Sequence, residues 1–368
     1  MNKQELSREE LIAVVKELYY NDHKYRRMMS VFRQLNSECK GGVVINLFDS
    51  KDEEIRLANA LLSEDVFNVQ DDKNIKRLIA ITEKYGFPGM ESLGHDIPIF
   101  VIFVHAAPEY FEEVRKLIEK EYKRGNVSEF EKDFIFWHLN GRYRGTGKPQ
   151  PSIPYSINYR SSIEIFKGSF NYEKDELVQF HKDKSPNKKD LNKQELNGEK
   201  LIAAVRDLYF DDQKYRRIIG VFKGLNNKCK GVETNPYNSE DDKTRLAYWL
   251  FREDVIEPQD IKNTKQLISI TKKYGFPGME RLGHDIPIFM VFAHTPYKYE
   301  IFDEVRNLIK QEFKEGRISK YAKDYILWHI EGRMEATPPT VPDTIDYRTN
   351  IEIFKGALDD EKESDTNG

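Results

Sequence analysis

Apolar positions recur along this chain in one order, twice. Leu11, Val15, Leu18, Asp22, Tyr25, Met29 and Phe32 alternate spacings of four and three, the signature of one helix face, and Leu201, Val205, Leu208, Asp212, Tyr215, Ile219 and Phe222 repeat it. Ser7 with Glu10 makes a capping box for the first of these helices, whereas Asn197 offers the second a plain cap. A helix from Asp71 to Lys84 follows, with Ile75, Leu78, Ile79 and Thr82 inward, and it stops at Gly86, the residue type of the left-handed C-cap; Phe87-Pro88-Gly89 then forces a tight exit, as Phe276-Pro277-Gly278 does after Gly275. The run from Ile97 to Val104 is apolar on every side, so periodicity does not separate a buried strand from a buried helix. Asp96 and Asp285 as N-caps, with Pro98 and Pro287 in the first turn, favour a central helix.

Phe111, Val114, Leu117, Ile118 and Tyr122 form an amphipathic helix ending at Gly125, with a counterpart ending at Gly316. A last helix runs from Ser128 to Leu139, and from Ser319 to Ile330. The segments Pro149 to Pro154 and Pro338 to Pro342 lead into Tyr159-Arg160 with Ile163 to Gly168, and into Tyr347-Arg348 with Ile351 to Gly356; both read as straps that pack aromatics back on the helices.

The self-similarity has an offset of about 190 residues, a period that makes internal duplication the first fact to establish. The expected fold class is therefore mainly α: two tandem-duplicated helical domains, each a bundle of about five to six helices closed by a Pro-containing strap. The expected boundaries are residues 1–173 for copy one, 174–195 for a charged linker, 196–358 for copy two and 359–368 for a disordered acidic tail. The loops Gly41 to Ser50 and Gly231 to Ser239 differ most between the copies.

With 39% hydrophobic residues in 368, the chain has enough apolar surface for two domains of ordinary size. A net charge of -4 leaves no global positive field, so neither nucleic acid nor an anionic membrane is expected as partner. The N-terminus lacks a cationic start and apolar run, and no apolar stretch reaches spanning length, so the chain reads as intracellular and cytoplasmic. Cys39 and Cys229, at matching points of the copies, are too few for a disulfide framework and read as small buried side chains.

Candidate chemistry lies in the histidines, six of whose eight members form duplicated pairs: His95 with His284, His105 with His294, and His138 with His329. Histidine serves both proton transfer near neutrality and metal ligation. Asp133, between Phe130 and Trp137, and Asp324, between Tyr321 and Trp328, lie on aromatic helix faces where a carboxyl group can have a raised pKa. The functional expectation gathers His95, His105, Asp133 and His138, or His284, His294, Asp324 and His329, into one pocket per copy. His105, Asp133, His138, His294, Asp324 and His329 would act as acids or bases, and His95, His105, His284 and His294 as metal ligands. The structural expectation is that His105 is a hydrogen-bonded core residue, His95 caps a loop, and Asp22 with Arg26, or Asp212 with Arg216, is an i,i+4 ion pair that compensates a carboxylate on an apolar stripe. Gly141-Arg-Tyr-Arg-Gly-Thr-Gly-Lys lacks P-loop spacing, and copy two has Gly332-Arg-Met-Glu there.

Asp212-Gln213-Lys-Tyr-Arg216, with Asp22-His23 and Arg26 in copy one, Gly86-Phe87-Pro88, Gly94, His105-Ala106 and Gly125, and in copy two Gly275-Phe276-Pro277, Gly283, His294 and Gly316, together resemble a bacterial family of unknown function. That family's pattern is D-Q-x-x-R, G-W-P, a glycine, Q-H-A and a late D-R. Phenylalanine replaces its tryptophan in both copies, Val104 or Ala293 its glutamine, and Trp137-His138 or Trp328-His329 falls at its late D-R. The resemblance implies a small helical domain and assigns no activity. No cofactor is named by any motif. The leading expectation is a non-catalytic intracellular binding protein whose partner, a protein or a small molecule, the sequence does not specify; the alternative is a hydrolase-like enzyme, with or without a metal ion, using the duplicated His/Asp set.

Overall fold

A computed structural model describes residues 6–38, 50–140, 150–154, 157, 159–172, 198–230, 237, 239–296, 300–331, 339, 342, 345 and 347–365. The described residues are mainly helical and contain no strand. In order, the first half comprises α1 (Arg8–Glu38), α2 (Glu53–Leu62), a π-helical segment (Ser63–Asn68), α3 (Val69–Tyr85), α4 (Met90–Leu93), α5 (Val101–Val104), α6 (Phe111–Lys123), α7 (Glu129–Leu139) and α8 (Ser162–Tyr172). The second half repeats that order as α9 (Gly198–Lys230), α10 (Asp242–Phe251), a π-helical segment (Arg252–Ile256), α11 (Glu257–Tyr274), α12 (Met279–Leu282), α13 (Phe289–Ala293), α14 (Ile301–Lys314), α15 (Lys320–Ile330) and α16 (Asn350–Asp365). No helix of the described residues is long and apolar enough to cross a membrane.

The capping box of α1 forms as its sequence implies: the Ser7 amide donates to Glu10 Oε2 at 2.7 Å and the Glu10 amide to Ser7 Oγ at 3.2 Å. α1 runs unbroken through Asp22, with Leu18, Tyr19, Met28 and Met29 buried on either side of it in sequence. After α3, Gly86 adopts φ 84° and ψ 167°, a positive φ open to glycine although its ψ lies beyond the left-handed helical basin; the left-handed C-cap is Gly94, at φ 64° and ψ 39°. A buried carboxylate holds the Gly-Phe-Pro-Gly exit in place. Glu121 Oε2 accepts from the Phe87 amide at 3.1 Å and from Asn126 Nδ2 at 2.7 Å, and Glu312 Oε2 accepts from the Phe276 amide at 2.8 Å and Arg317 Nε at 2.7 Å.

Three expectations are corrected. The central helix is a single turn, Val101–Val104 or Phe289–Ala293, rather than a helix opening at Asp96 or Asp285. A residue preceding proline is disfavoured in the helical region, so Ile97 and Ile286 stay outside the helix, and the aspartates instead pair with Arg160 and Arg348, each at 2.6 Å. The straps are helical over α8 and α16, where Gly168 and Gly356 let the helices approach the Tyr20 and Phe210 rings. The acidic tail does not begin as disorder at residue 359: α16 continues to Asp365 through Glu361, Lys362 and Glu363, all good helix formers. The variable loops over 41–49 and 231–236, the linker, the Gly141 segment, the cap Asn197, Cys39 and the Cys229 side chain lie outside the described residues.

The chain divides into two compact units, and these do not follow the sequence copies segment for segment. The first comprises residues 1–35, 62–175 and 235–249; the second comprises 36–61, 176–234 and 250–368. Within the first, the Tyr248 ring, from copy two, packs edge-on against Phe32 with centroids 4.9 Å apart and is buried. Within the second, Glu53 and Glu54, from copy one, reach Lys355 at 2.7 Å and Asn350 at 3.1 Å.

Candidate functional site

Four side chains meet in the first unit. α1 presents Asp22 and, one turn on, Arg26; the first turn of α3 presents Asp71; and His105 caps the C-terminus of α5. His105 Nδ1 hydrogen-bonds Asp22 Oδ1 at 3.1 Å and lies 3.0 Å from Oδ2. An ionised carboxylate only accepts, so Nδ1 carries a proton, and in the neutral ring the lone pair resides on Nε2. Among the described residues Nε2 meets no hydrogen-bond partner, and the ring is 17% exposed whereas Asp22 is fully buried. Arg26 donates to Asp71 Oδ2 at 2.6 Å and to the Asp22 carbonyl at 2.9 Å, with its guanidinium 3.7 Å from Asp22 Oδ1.

The two carboxyl groups are driven apart. Burial pushes Asp22 up, but the charges of His105 and Arg26 and the His105 hydrogen bond outweigh it and hold Asp22 well below the usual carboxylate range. For Asp71 burial prevails over the Arg26 hydrogen bond, and its carboxyl is raised. The two carboxyl groups are thus shifted in opposite directions, an asymmetry that accompanies acid and base roles. Next to Asp22, burial depresses His23 to about 4, so its ring is neutral at neutral pH. It stacks edge-on against Tyr19 at 4.4 Å.

The second unit builds the same set from α9, α11 and α13. His294 Nδ1 donates to Asp212 Oδ2 at 2.8 Å, and the His294 ring is 13% exposed. Burial raises Asp260 to about 6 against the pull of Arg216, while the His294 charge and hydrogen bond overcome burial at Asp212 and lower it. Two details differ. Arg216 takes both oxygens of Asp260, at 2.9 and 2.7 Å, and Gln213, where the first unit has His23, donates to Asp212 Oδ2 at 2.9 Å. A cavity of about 30 Å³ in this unit, lined by Phe276, Met279, Phe289 and Arg317, has room for about one water and includes none of these groups.

Of the residues expected from sequence to act as acids, bases or metal ligands, only His105 and His294 enter these clusters. His95 uses both nitrogens on its own loop, Nε2 donating to the Pro88 carbonyl at 3.1 Å and Nδ1 accepting from the Ile97 amide at 3.1 Å; His284 repeats this with Pro277 at 2.9 Å and Ile286 at 3.1 Å. Neither is left with a nitrogen for a metal ion. His138 and His329 donate from Nδ1 to the carbonyls of Phe134 and Tyr325, both at 2.9 Å, back along their own helices. Asp133 is exposed beside Lys132 at 3.7 Å, and Asp324 pairs with Lys323 at 2.8 Å and Lys320 at 3.4 Å. These placements replace the pocket of His95, His105, Asp133 and His138.

Sequence reasoning missed Asp71 and Asp260, and weighed Asp22 and Asp212 only as partners of the arginine four residues on. A signal was present: Gln-Asp-x-Lys-Asn stands at 70–74 and again at 259–263, and the Asp, Arg and His positions of the family-like pattern are those that meet. No protein-family model, curated protein or solved structure matches this chain.

Proposed function

We propose that this chain is a hydrolase-like enzyme working by acid–base catalysis at its twin His–Asp sites. The observation that carries this reading is the repeated pair in which a fully buried aspartate takes the Nδ1 hydrogen bond of a partly exposed histidine, at 3.1 Å for His105 and 2.8 Å for His294. Asp22 or Asp212 fixes the tautomer and offsets the charge of the imidazolium that forms. Nε2 of His105 or His294 removes a proton from a water that attacks the scissile bond, and the proton passes to the leaving group. Asp71 or Asp260, raised by burial, is the second proton carrier, and Arg26 or Arg216 holds it in place.

Hydrolysis of chromogenic carboxylic esters, phosphomonoesters and phosphodiesters by the full chain tests this, with a His105→Asn, His294→Asn double variant alongside. The variant is expected to lose on the order of 10²–10⁴ in rate, the usual worth of a positioned base. Rates equal in both proteins, or no turnover of any class, would overturn it.

A second reading is a non-catalytic cytoplasmic binding protein. It is favoured by the way the same bonds clamp α1 to α3 and to the end of α5, since buried ionic networks also serve to specify packing.

A further inference from the structure

The two clusters differ in their unpaired acceptors: two carboxylate oxygens, one on each aspartate, in the first unit, and Asp212 Oδ1 alone in the second. Asp22 is fully buried, and its Oδ2 accepts no aligned hydrogen bond; Asp71 Oδ1 is buried and accepts none either. Arg26 does not supply the missing donors, because it is directed to Asp71 Oδ2 and the Asp22 carbonyl. Buried acceptors left unpaired are rare, and an ion or a water is the usual explanation. One ligand atom from each of Asp22, Asp71 and His105 lies within 4.8 Å of the others, so the three side chains need to close by only a few tenths of an ångström to reach a single ion about 2.0–2.2 Å from each donor.

We propose that the first unit binds one divalent first-row cation through Asp22, Asp71 and His105, and that the second unit binds none. The inference rests on the cluster being a chemical site, as the acid–base reading holds, and it changes how the first of the two sites works. Two carboxylates and an imidazole form a mixed oxygen and nitrogen donor set suited to Mn²⁺ or Zn²⁺. The ion takes the lone pair of Nδ1 and the ring proton moves to Nε2, so the neutral ring changes tautomer and releases no proton. Arg26 stays on Asp71 Oδ2 and orients that carboxylate from outside the ligand set. Base duty in this unit then passes from Nε2 to the water on the ion. In the second unit Arg216 occupies both oxygens of Asp260 and Gln213 occupies Asp212 Oδ2, leaving only Asp212 Oδ1 of these four oxygens unpaired.

Calorimetric titration of the chelator-treated full chain with Mn²⁺ and, separately, Zn²⁺, in two buffers of different ionisation enthalpy, tests the proposal. We expect one ion per chain with no proton released by the His105 ring, an affinity lowered on the order of tenfold or more by Asp71→Asn, and an unchanged affinity in Asp260→Asn. A measurement on the unsubstituted protein does not depend on the variants folding: Mn²⁺ should broaden the imidazole proton resonances of His105 and spare those of His294. No bound ion, two ions lost equally through either variant, full affinity in a folded Asp71→Asn protein, or broadening at His294 instead would each overturn it. If no ion binds while hydrolysis still depends on His105 and His294, the cation site falls and the acid–base function stands; if one ion binds as expected and nothing is hydrolysed, the reverse holds.

Discussion

Arg216 closes on Asp260 through both carboxylate oxygens, at 2.9 and 2.7 Å, with Asp260 almost wholly buried. The corresponding Arg26 reaches Asp71 through one oxygen, at 2.6 Å. A paired fork contact is the stronger arrangement and fixes orientation as well as distance. The second unit is therefore expected to depend more on its arginine than the first.

Replacing Arg216 with Met should destabilise the second unit by about 3 kcal/mol, the scale set by leaving a buried charge without its partner. Arg26→Met should cost less, because only one oxygen loses its donor. Urea denaturation of the full chain, followed by resonances from each unit, measures both; equal losses would contradict the difference in geometry.

Asp260 gives this unit a distinctive pH dependence. Its folded pKa, about 6, lies above the ordinary carboxylate value near 3.9, so between those pH values the folded state binds more proton than the unfolded chain. Its contribution is fully present below about pH 3.9 and lost as pH rises through about 6, with a slope of up to about 1.4 kcal/mol per pH unit. The stability difference between the unsubstituted protein and Asp260→Asn should change across that window and be flat above it. A difference that is constant from pH 4 to 7 would show that Asp260 is not raised.

His95→Ala removes one acceptor and one donor that hold the loop leading into α5, and should cost about 2 kcal/mol, with His284→Ala similar. Thermal unfolding should report the loss, while hydrolysis and cation affinity at a temperature where the protein is folded should not change. Cation affinity lost in His95→Ala would restore that residue to the site.

Alanine normally favours a helix over glycine, but Gly356→Ala should be unfavourable. An added Cβ would lie 2.1 Å from the Phe210 ring, and at Gly168 it would lie 2.2 Å from Tyr20. Overpacking of this kind costs about 1–3 kcal/mol, which exceeds the propensity gain. A raised melting temperature in either variant would mean that the rings move aside freely.

Much of the local structure was legible. Alternating spacings of three and four from Leu11 to Phe32 place side chains on one face because the helix has a fixed period, and the Ser7 capping box follows from a three-residue contact. The single-turn helix was not legible, because Ile97 to Phe103 is buried throughout and an all-apolar run carries no phase. Nor was the composition of the units, since nothing in the amphipathic pattern of 53–61 says whether its apolar face is buried by its own copy or by the other.

For the site the division is similar. The sequence determined that both halves keep the same Asp, Arg, Asp and His, and that Asp22 and Arg26 share a helix face. Which of the duplicated histidines meets a carboxylate was decided by packing alone: Asp22 and His105 stand 83 residues apart, and Arg26 and Asp71 stand 45 apart. Spacing along one helix fixes neighbours only within about a turn, whereas contact between helices depends on crossing geometry and on where each chain segment ends. The short turn from Val101 to Val104 ends at His105 and brings that ring to Asp22, while His95 is held on its own loop by two backbone bonds.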